Sequence, residues 1–304
     1  DSEGKIWVGT DHGGIALIDK KNNFNISYIL NDPQNPQSLS QNSITSIYKD
    51  NRGIVWIGTY KQGANFFNGD IVQFLLYRHQ ESRPNSLQYD DVNRFAEDRN
   101  GNIWIGTNGG GLIYFDPKNN KFTQYLHKAS DENSICANVI VSLCIDHENN
   151  LWIGSYLGGL DKYDGNKFTH FSHRENDPSS ISNNSIWEIF EDREHNLWIG
   201  TLGGGLDRFD KRTNSFAHYT INENGKPLLA NFISAILQDK KGNIWIGCEN
   251  GLAVFNTKSS YNATYRATPG KKGLSTNSII CLYEDDKGRI WVGTSDGLNL
   301  FNPF

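Results

Sequence analysis

The chain has 304 residues, 37% hydrophobic and 12% aromatic, enough to bury a core in one large or two smaller domains. A net charge of −5 without a basic block argues against a nucleic-acid partner, and no apolar run approaches the roughly 18 residues of a membrane helix. No signal peptide is visible. The chain opens on Asp1 and contains no Met, so a fragment or a processed form is expected. Thirty glycines against eight prolines suit many tight turns between short strands.

A Trp-Ile/Val-Gly phrase recurs along the chain at Trp7, Trp56, Trp104, Trp152, Trp198, Trp245 and Trp291. An Asp stands six residues before each Trp: Asp1, Asp50, Asp98, Asp146, Asp192, Asp239 and Asp285. Three before it stand Gly4, Gly53, Gly101, Asn149, His195, Gly242 and Gly288. These residue types tolerate positive φ, so Asp-x-x-Gly reads as a hairpin turn; a calcium loop would need an Asp-x-Asp-x-Asp-Gly series and a distal Glu.

Each repeat holds four strand-like pieces, named a to d. In the second repeat they are SITSIYKD, IVWIGTY, GANFFN and DIVQFLLY. The first repeat begins at the a–b turn and the last ends after strand c, which gives 26 strands. Four strands in a period of this length predict an all-β, seven-bladed β-propeller over residues 1–304, its first and last blades incomplete and no helix longer than two turns. A blade is covered on both faces, which explains why NIWIG is apolar on successive residues. The seven tryptophans are read as wedges between blades, each worth about 4–6 kcal/mol of apolar burial at most.

Two stretches, SLSQNSITSIYKDNRGIVWIGTYKQGANFFN (38–68) and NDPSSISNNSIWEIFEDREHNLWIGTLGGGLDRFD (176–210), resemble the two-component-regulator propeller repeat. The resemblance runs over essentially the whole chain. It implies the periplasmic sensor region of a Bacteroides-type hybrid two-component system, a histidine kinase joined to a response regulator. It also implies an oligosaccharide ligand, control of glycan-utilisation genes, a second propeller and a sandwich domain in the same full-length protein, and a homodimer. Kinase activity would lie elsewhere, so the fragment is not expected to be an enzyme.

In a propeller the d–a and b–c connections share one face. The d–a loops are long and varied, the usual setting for binding on a rigid scaffold. Within them Leu39, Leu87, Ile135, Ile181, Leu228 and Leu274 read as anchors. Asn42, Asp90, Asn138, Asn184, Asn231 and Asn277 read as Asx-type turns. Strand a departs most from the repeat at Asn93-Arg94 and Trp187-Glu188. Trp187 is the one Trp outside the repeated phrase; it reads either as extra packing between blades or as a platform for a sugar face. Arg94 and Glu188 are candidates for pairing or for polar contacts to a ligand. The expected binding set is Arg94, Trp187 and Glu188 with Asn93 innermost, and Tyr60, Lys61 and Tyr156 on the rim.

The four cysteines form no CxxC pair, and Cys248 and Cys281 read as small buried residues. No HExxH or GxSxG occurs, and the GGG runs join strands and lack a Lys-Ser/Thr. His170 and His173 fall on opposite faces of a strand, poor metal geometry. No cofactor and no metal are expected. Two other readings stay open: a propeller lyase acting on a polysaccharide or cyclic ester, for which His12 and Tyr60 are the nearest candidates, and a protein-interaction scaffold.

Overall fold

The computed structural model describes residues 4–68, 71–219, 222–223, 226–227, 231–259, 262–268 and 273–301. Every element named among them is a β-strand. In chain order the first sheet is β1 (Lys5–Gly9), β2 (Ile15–Asp19) and β3 (Asn25–Ile29). The second is β4 (Ile44–Lys49), β5 (Val55–Thr59), β6 (Ala64–Asn68) and β7 (Ile71–Tyr77). The third is β8 (Val92–Glu97), β9 (Ile103–Thr107), β10 (Leu112–Asp116) and β11 (Lys121–Tyr125). The fourth is β12 (Ile140–Ile145), β13 (Leu151–Ser155), β14 (Gly159–Tyr163) and β15 (Phe168–Phe171). The fifth is β16 (Ile186–Glu191), β17 (Leu197–Thr201), β18 (Leu206–Asp210) and β19 (Ser215–Tyr219).

A small hairpin follows, β20 (Asn222–Glu223) with β21 (Lys226–Pro227). The sixth sheet is β22 (Ile233–Gln238), β23 (Asn243–Cys248), β24 (Gly251–Asn256) and β25 (Asn262–Tyr265). The seventh is β26 (Ile279–Glu284), β27 (Ile290–Thr294) and β28 (Gly297–Phe301). This is the all-β, seven-bladed β-propeller class, with four-stranded antiparallel blades and three strands in the first and last. The blades hold the expected strands. The hairpin β20–β21 was not expected and lies in a d–a connection.

The chain divides into two compact units, residues 1–151 with 164–168, and residues 152–163 with 169–304. In the first, Trp56 packs between its own blade and the next. Its ring lies 6.2 Å from Phe95 and 6.0 Å from Phe115, in a cluster with Leu87, Ile103 and Ile105. In the second, Trp198 meets Phe255 of the next blade at 5.4 Å, and Trp245 meets Phe301 at 5.2 Å. The wedge reading holds for these indoles.

In four repeats the Asp six residues ahead of the Trp serves both the turn and the indole. Asp50 Oδ1 accepts the N–H groups of Arg52 and Ile54, while its Oδ2 accepts Trp56 Nε1–H at 3.1 Å. The same indole bond joins Trp198 to Asp192 (2.8 Å), Trp245 to Asp239 (2.8 Å) and Trp291 to Asp285 (3.0 Å). The turn residue has positive φ in every repeat, Gly53 at 84°, Asn149 at 69° and His195 at 63° among them.

Three expectations need correction or completion. The repeated Asn or Asp of the d–a loop does not close a local Asx turn. Its side-chain oxygen accepts an N–H eleven residues back, at the end of the preceding strand d: His79 to Asp90 (2.6 Å), His127 to Asn138 (2.7 Å), His173 to Asn184 (2.7 Å). It therefore clasps the whole loop. The anchors Leu39, Leu87, Ile135 and Ile181 are fully buried and Leu274 partly so, while Leu228 lies outside the described residues. Cys248 is buried and donates its thiol to Gly251 O, where other repeats use Thr, as in Thr59 to Gly63. Cys281 is exposed, as are Ile280 and Tyr283 of the same strand.

Strand a carries a further irregularity. Its register against strand b shifts between Ile44 and Ser46, Val92 and Arg94, Ile186 and Glu188, Ile233 and Ala235, and Ile279 and Cys281. The extra residue is a β-bulge, which bends the strand and re-aims one side chain. Thr45, Asn93, Trp187, Ser234 and Ile280 occupy it.

Candidate functional site

The bulge explains part of the departure seen in strand a. Asn93 spends its amide on the fold, donating to Ile140 O of the next blade at 2.9 Å. Ser234 does the same to Ile279 O at 2.6 Å, and Thr45 to Val92 O. Asn93 is thus placed as a tie between inner strands. Arg94 follows it, opposite Gly106 of β9.

In the first unit the rim residues Tyr60 and Lys61 form the β5–β6 turn. Tyr60 N–H donates to Ser43 O at 3.0 Å, and Lys61 sits at φ 58°. The Tyr60 ring is 44% exposed, and Lys61 Nζ lies over it, 4.6 Å from its centroid. The Tyr60 hydroxyl, followed by the more distant Asp91 and Tyr89, holds the Lys61 ammonium above its usual range. Asp91 and Tyr89 stand just before β8. Tyr89 lies across the β9–β10 turn, where a Cβ on Gly110 would come within 2.2 Å of the Tyr89 Cβ. Glycine is required there because the aromatic residue occupies the space. Asp91 is buried; Asn108 donates to it twice, backbone N–H to Asp91 O (2.9 Å) and Nδ2 to Oδ2 (3.1 Å).

In the second unit, Trp187 occupies the bulge of β16 and is half-buried. Its ring meets Phe232 edge-on, centroids 5.1 Å apart at 87°. This contact matches the packing reading of Trp187. Glu188 stands opposite Gly200 of β17. Tyr156 is exposed in the β13–β14 turn, beside Leu157, whose N–H donates to Ser185 Oγ at 3.2 Å. Asn93, Arg94, Tyr60 and Lys61 thus belong to the first unit, and Tyr156, Trp187 and Glu188 to the second.

Several polar residues were not singled out from the sequence. Buried Asp161 and Asp207, at one position of strand c, hold His170 Nδ1 at 2.6 Å and His218 Nδ1 at 2.7 Å. Asp207 Oδ2 also accepts Ser182 N–H at 2.8 Å. Burial pushes the Asp207 carboxyl up, while His218 and Ser182 draw it back. Asn65 and Asn299 hold Ser40 N–H and Ser275 N–H from the same position, so its shared task is to clasp the d–a loop. His12, raised as a lyase candidate, is exposed with Nδ1 2.9 Å from Asp11, and its backbone N–H donates to Ser43 Oγ.

The blades and their clasped loops define a repeat propeller that presents exposed b–c turns. The repeat itself is that of the two-component regulator propeller family, matched at residues 38–61, 86–109, 134–157, 180–203, 227–250 and 273–296. The chain is similar to the extracellular domain of a putative hybrid two-component system from B. thetaiotaomicron, with 24% identity, a TM-score of 0.84, and coverage of 100% of this chain and 39% of that one. A second such extracellular domain from B. thetaiotaomicron shows 26% identity and a TM-score of 0.55, with 98% and 38% covered. The chain thus spans about two fifths of each. Streptogramin B lyase matches at 15% identity, a TM-score of 0.70 and coverage of 99% and 91%, a likeness of fold alone. No curated protein matches the sequence at a significant level.

Proposed function

We propose that the chain is an extracytoplasmic ligand-sensing propeller of a hybrid two-component signalling protein. In this reading it lies in the periplasm and recognises an oligosaccharide. It works beside a second propeller and a sandwich domain of the same protein, with the histidine kinase elsewhere and the sensor acting as a homodimer. The occupied sensor controls genes for glycan use. The observation that carries the reading is the run of six two-component regulator propeller repeats. The likeness to extracellular domains of two-component systems supports it.

The exposed b–c turns suit the ligand class. Tyr60 and Tyr156 offer aromatic faces beside charged and amide groups, the surface chemistry that holds a sugar ring. Arg94, Trp187 and Glu188 remain in the proposed set, with Trp187 sharing its ring with Phe232. The test is calorimetric titration of the chain, and of the complete sensor region, with defined oligosaccharides. Binding that drives transcription of glycan-utilisation genes is the expected result. Binding only to a protein partner would move the reading to an interaction scaffold, and release of a cleaved sugar would move it to a lyase.

A further inference from the structure

We propose that the β5–β6 turn and the residues leading into β8 form a subsite for a neutral sugar ring. Asp91 is its hydrogen-bond acceptor, Tyr60 and Tyr89 its aromatic faces, and Lys61 its donor. The proposal rests on the sensor reading above and names the part of the first unit that meets the ligand.

The internal repeat supplies the comparison. At the position of Asp91, the second, fifth and seventh repeats carry Ser43, Ser185 and Ser278, and the fourth and sixth the apolar Val139 and Phe232; Asp91 is the one charged residue there. Ser43 Oγ accepts the N–H of His12 and Ser185 Oγ that of Leu157, both at 3.2 Å. His12 and Leu157 are left-handed residues of the preceding blade's b–c turn, with φ 67° and 63°. Lys61 is the same turn residue, with φ 58°, and Asp91 takes the place in the next repeat where its counterparts meet a serine. A hydroxyl at this place satisfies the turn and the fold. The carboxylate does not. One oxygen is taken by Asn108, while Oδ1 has no hydrogen-bond partner, although Asp91 is only 5% exposed. Leaving a buried acceptor unmade costs about 1–3 kcal/mol, more when it is charged, so such a group calls for a reason beyond the fold.

Two aromatic neighbours occupy variable positions of the repeat at the same place. The place of Tyr89 holds Gln41, Ala137, Asn183, Ala230 and Thr276 in the other repeats, and that of Tyr60 holds Asp11, Asn108, Tyr156, Leu202, Glu249 and Ser295, so an aromatic pair at the two places occurs in this repeat alone. Both rings are large and exposed, Tyr60 at 44% and Tyr89 at 38%. Tyr89 is held in place by the side-chain-free turn at Gly109 and Gly110. Two segments, the β5–β6 turn and the loop before β8, thus bring aromatic residues to one buried acceptor. Aromatic faces take the C–H face of a pyranose, a carboxylate accepts its hydroxyl, and an ammonium donates to a neighbouring oxygen. A polyanionic glycan would meet Asp91 as a like charge.

The test uses the wild-type chain and complete sensor region, with a neutral glycan array as probe and titration of the oligosaccharide it selects. Asp91→Ser places there the residue of the second, fifth and seventh repeats. It is expected to unfold at the wild-type temperature or above while its affinity falls at least about tenfold; one such hydrogen bond to a charged group is worth that much. Tyr89→Thr is expected to fold normally and lose affinity likewise, and Ser43→Ala at the sister position to keep it. Wild-type affinity in well-folded Asp91→Ser and Tyr89→Thr would overturn the subsite and leave the sensor reading intact. A lowered unfolding temperature for Asp91→Ser would overturn it too, by showing that the carboxylate serves the fold. Failure of the wild-type sensor region to bind any glycan would instead overturn the sensor reading, and the subsite with it.

Discussion

Trp198 and Asp192 show how one pair of side chains fixes a whole turn. The indole is fully buried and packs on Tyr219 and Phe255, while its N–H reaches the carboxylate that also caps the hairpin. Trp198→Ala removes both contributions and should destabilise by at least about 3 kcal/mol. Trp198→Phe keeps part of the packing and leaves Asp192 Oδ2 without its indole donor, so about 2 kcal/mol is expected. Chemical denaturation of the two variants measures both; equal midpoints for wild type and Trp198→Phe would mean that the indole bond adds nothing. Asp285 is the same residue of the last repeat. Burial opposes its ionisation, but Arg289, Trp291 and the turn N–H groups outweigh it and hold the carboxyl down at about 2. Unfolded, it returns to the ordinary range near 4. Its ionised form therefore stabilises the fold above about pH 4, and that contribution is lost as pH falls toward 2. The gap in unfolding temperature between wild type and Asp285→Asn should be wide at neutral pH and narrow through this window. A gap independent of pH would show that the carboxylate's charge is not what matters. The six-residue spacing of Asp and Trp was plain in the sequence; that the two side chains touch was not, because spacing alone does not give the twist of a hairpin.

A blade is held by its turns as much as by its ladders, and the glycines of the two turns differ in kind. Gly53 and Gly63 both have positive φ, 84° and 80°. A Cβ on Gly53 meets nothing within 4 Å, whereas one on Gly63 would stand 2.3 Å from Tyr77 O. Gly53→Ala should therefore cost only the conformational term, about 1 kcal/mol, and Gly63→Ala more than about 2 kcal/mol, since the backbone of strand d must move. Thermal scans of the two variants rank them; equal costs would mean that strand d gives way freely. Strands, turns and loop anchors at this scale were legible, because β-branched runs and Gly or Asn turns have strong local signals. The bulge in strand a was not: it inserts one residue without altering composition, so the bond by which the Asn93 amide ties two inner strands left no mark in the sequence. The loop clasp escaped for a similar reason. An Asn or Asp that accepts an N–H eleven residues away leaves no short-range pattern, and only the repeated His at the end of strand d, whose Nδ1 meets the Leu87, Ile135 or Ile181 carbonyl, marks it.

Over the whole chain, repetition is what made the fold readable and what makes its departures informative. Copies of one packing unit set the residue types expected at each position, so Asp91, the one charged residue among Ser43, Val139, Ser185, Phe232 and Ser278, stands out against the chain's own background. The candidate site was read only in part, since Tyr60 and Lys61 lie on a visible turn while Tyr89 and Asp91 sit in a loop whose positions align only after the anchors are recognised. The charge of the molecule adds a constraint on the ligand. With a net charge of −5 and a buried carboxylate at the proposed subsite, the chain repels polyanions, and a neutral glycan gains nothing from long-range attraction. Affinity for the cognate oligosaccharide should then change by less than about twofold between about 0.05 and 0.3 M salt, because stacking and short hydrogen bonds are little screened. Titrations across that range make the measurement. A steep fall in affinity with salt would identify a sulfated or uronic ligand held by ion pairs, and would move the site away from Asp91 toward Arg94.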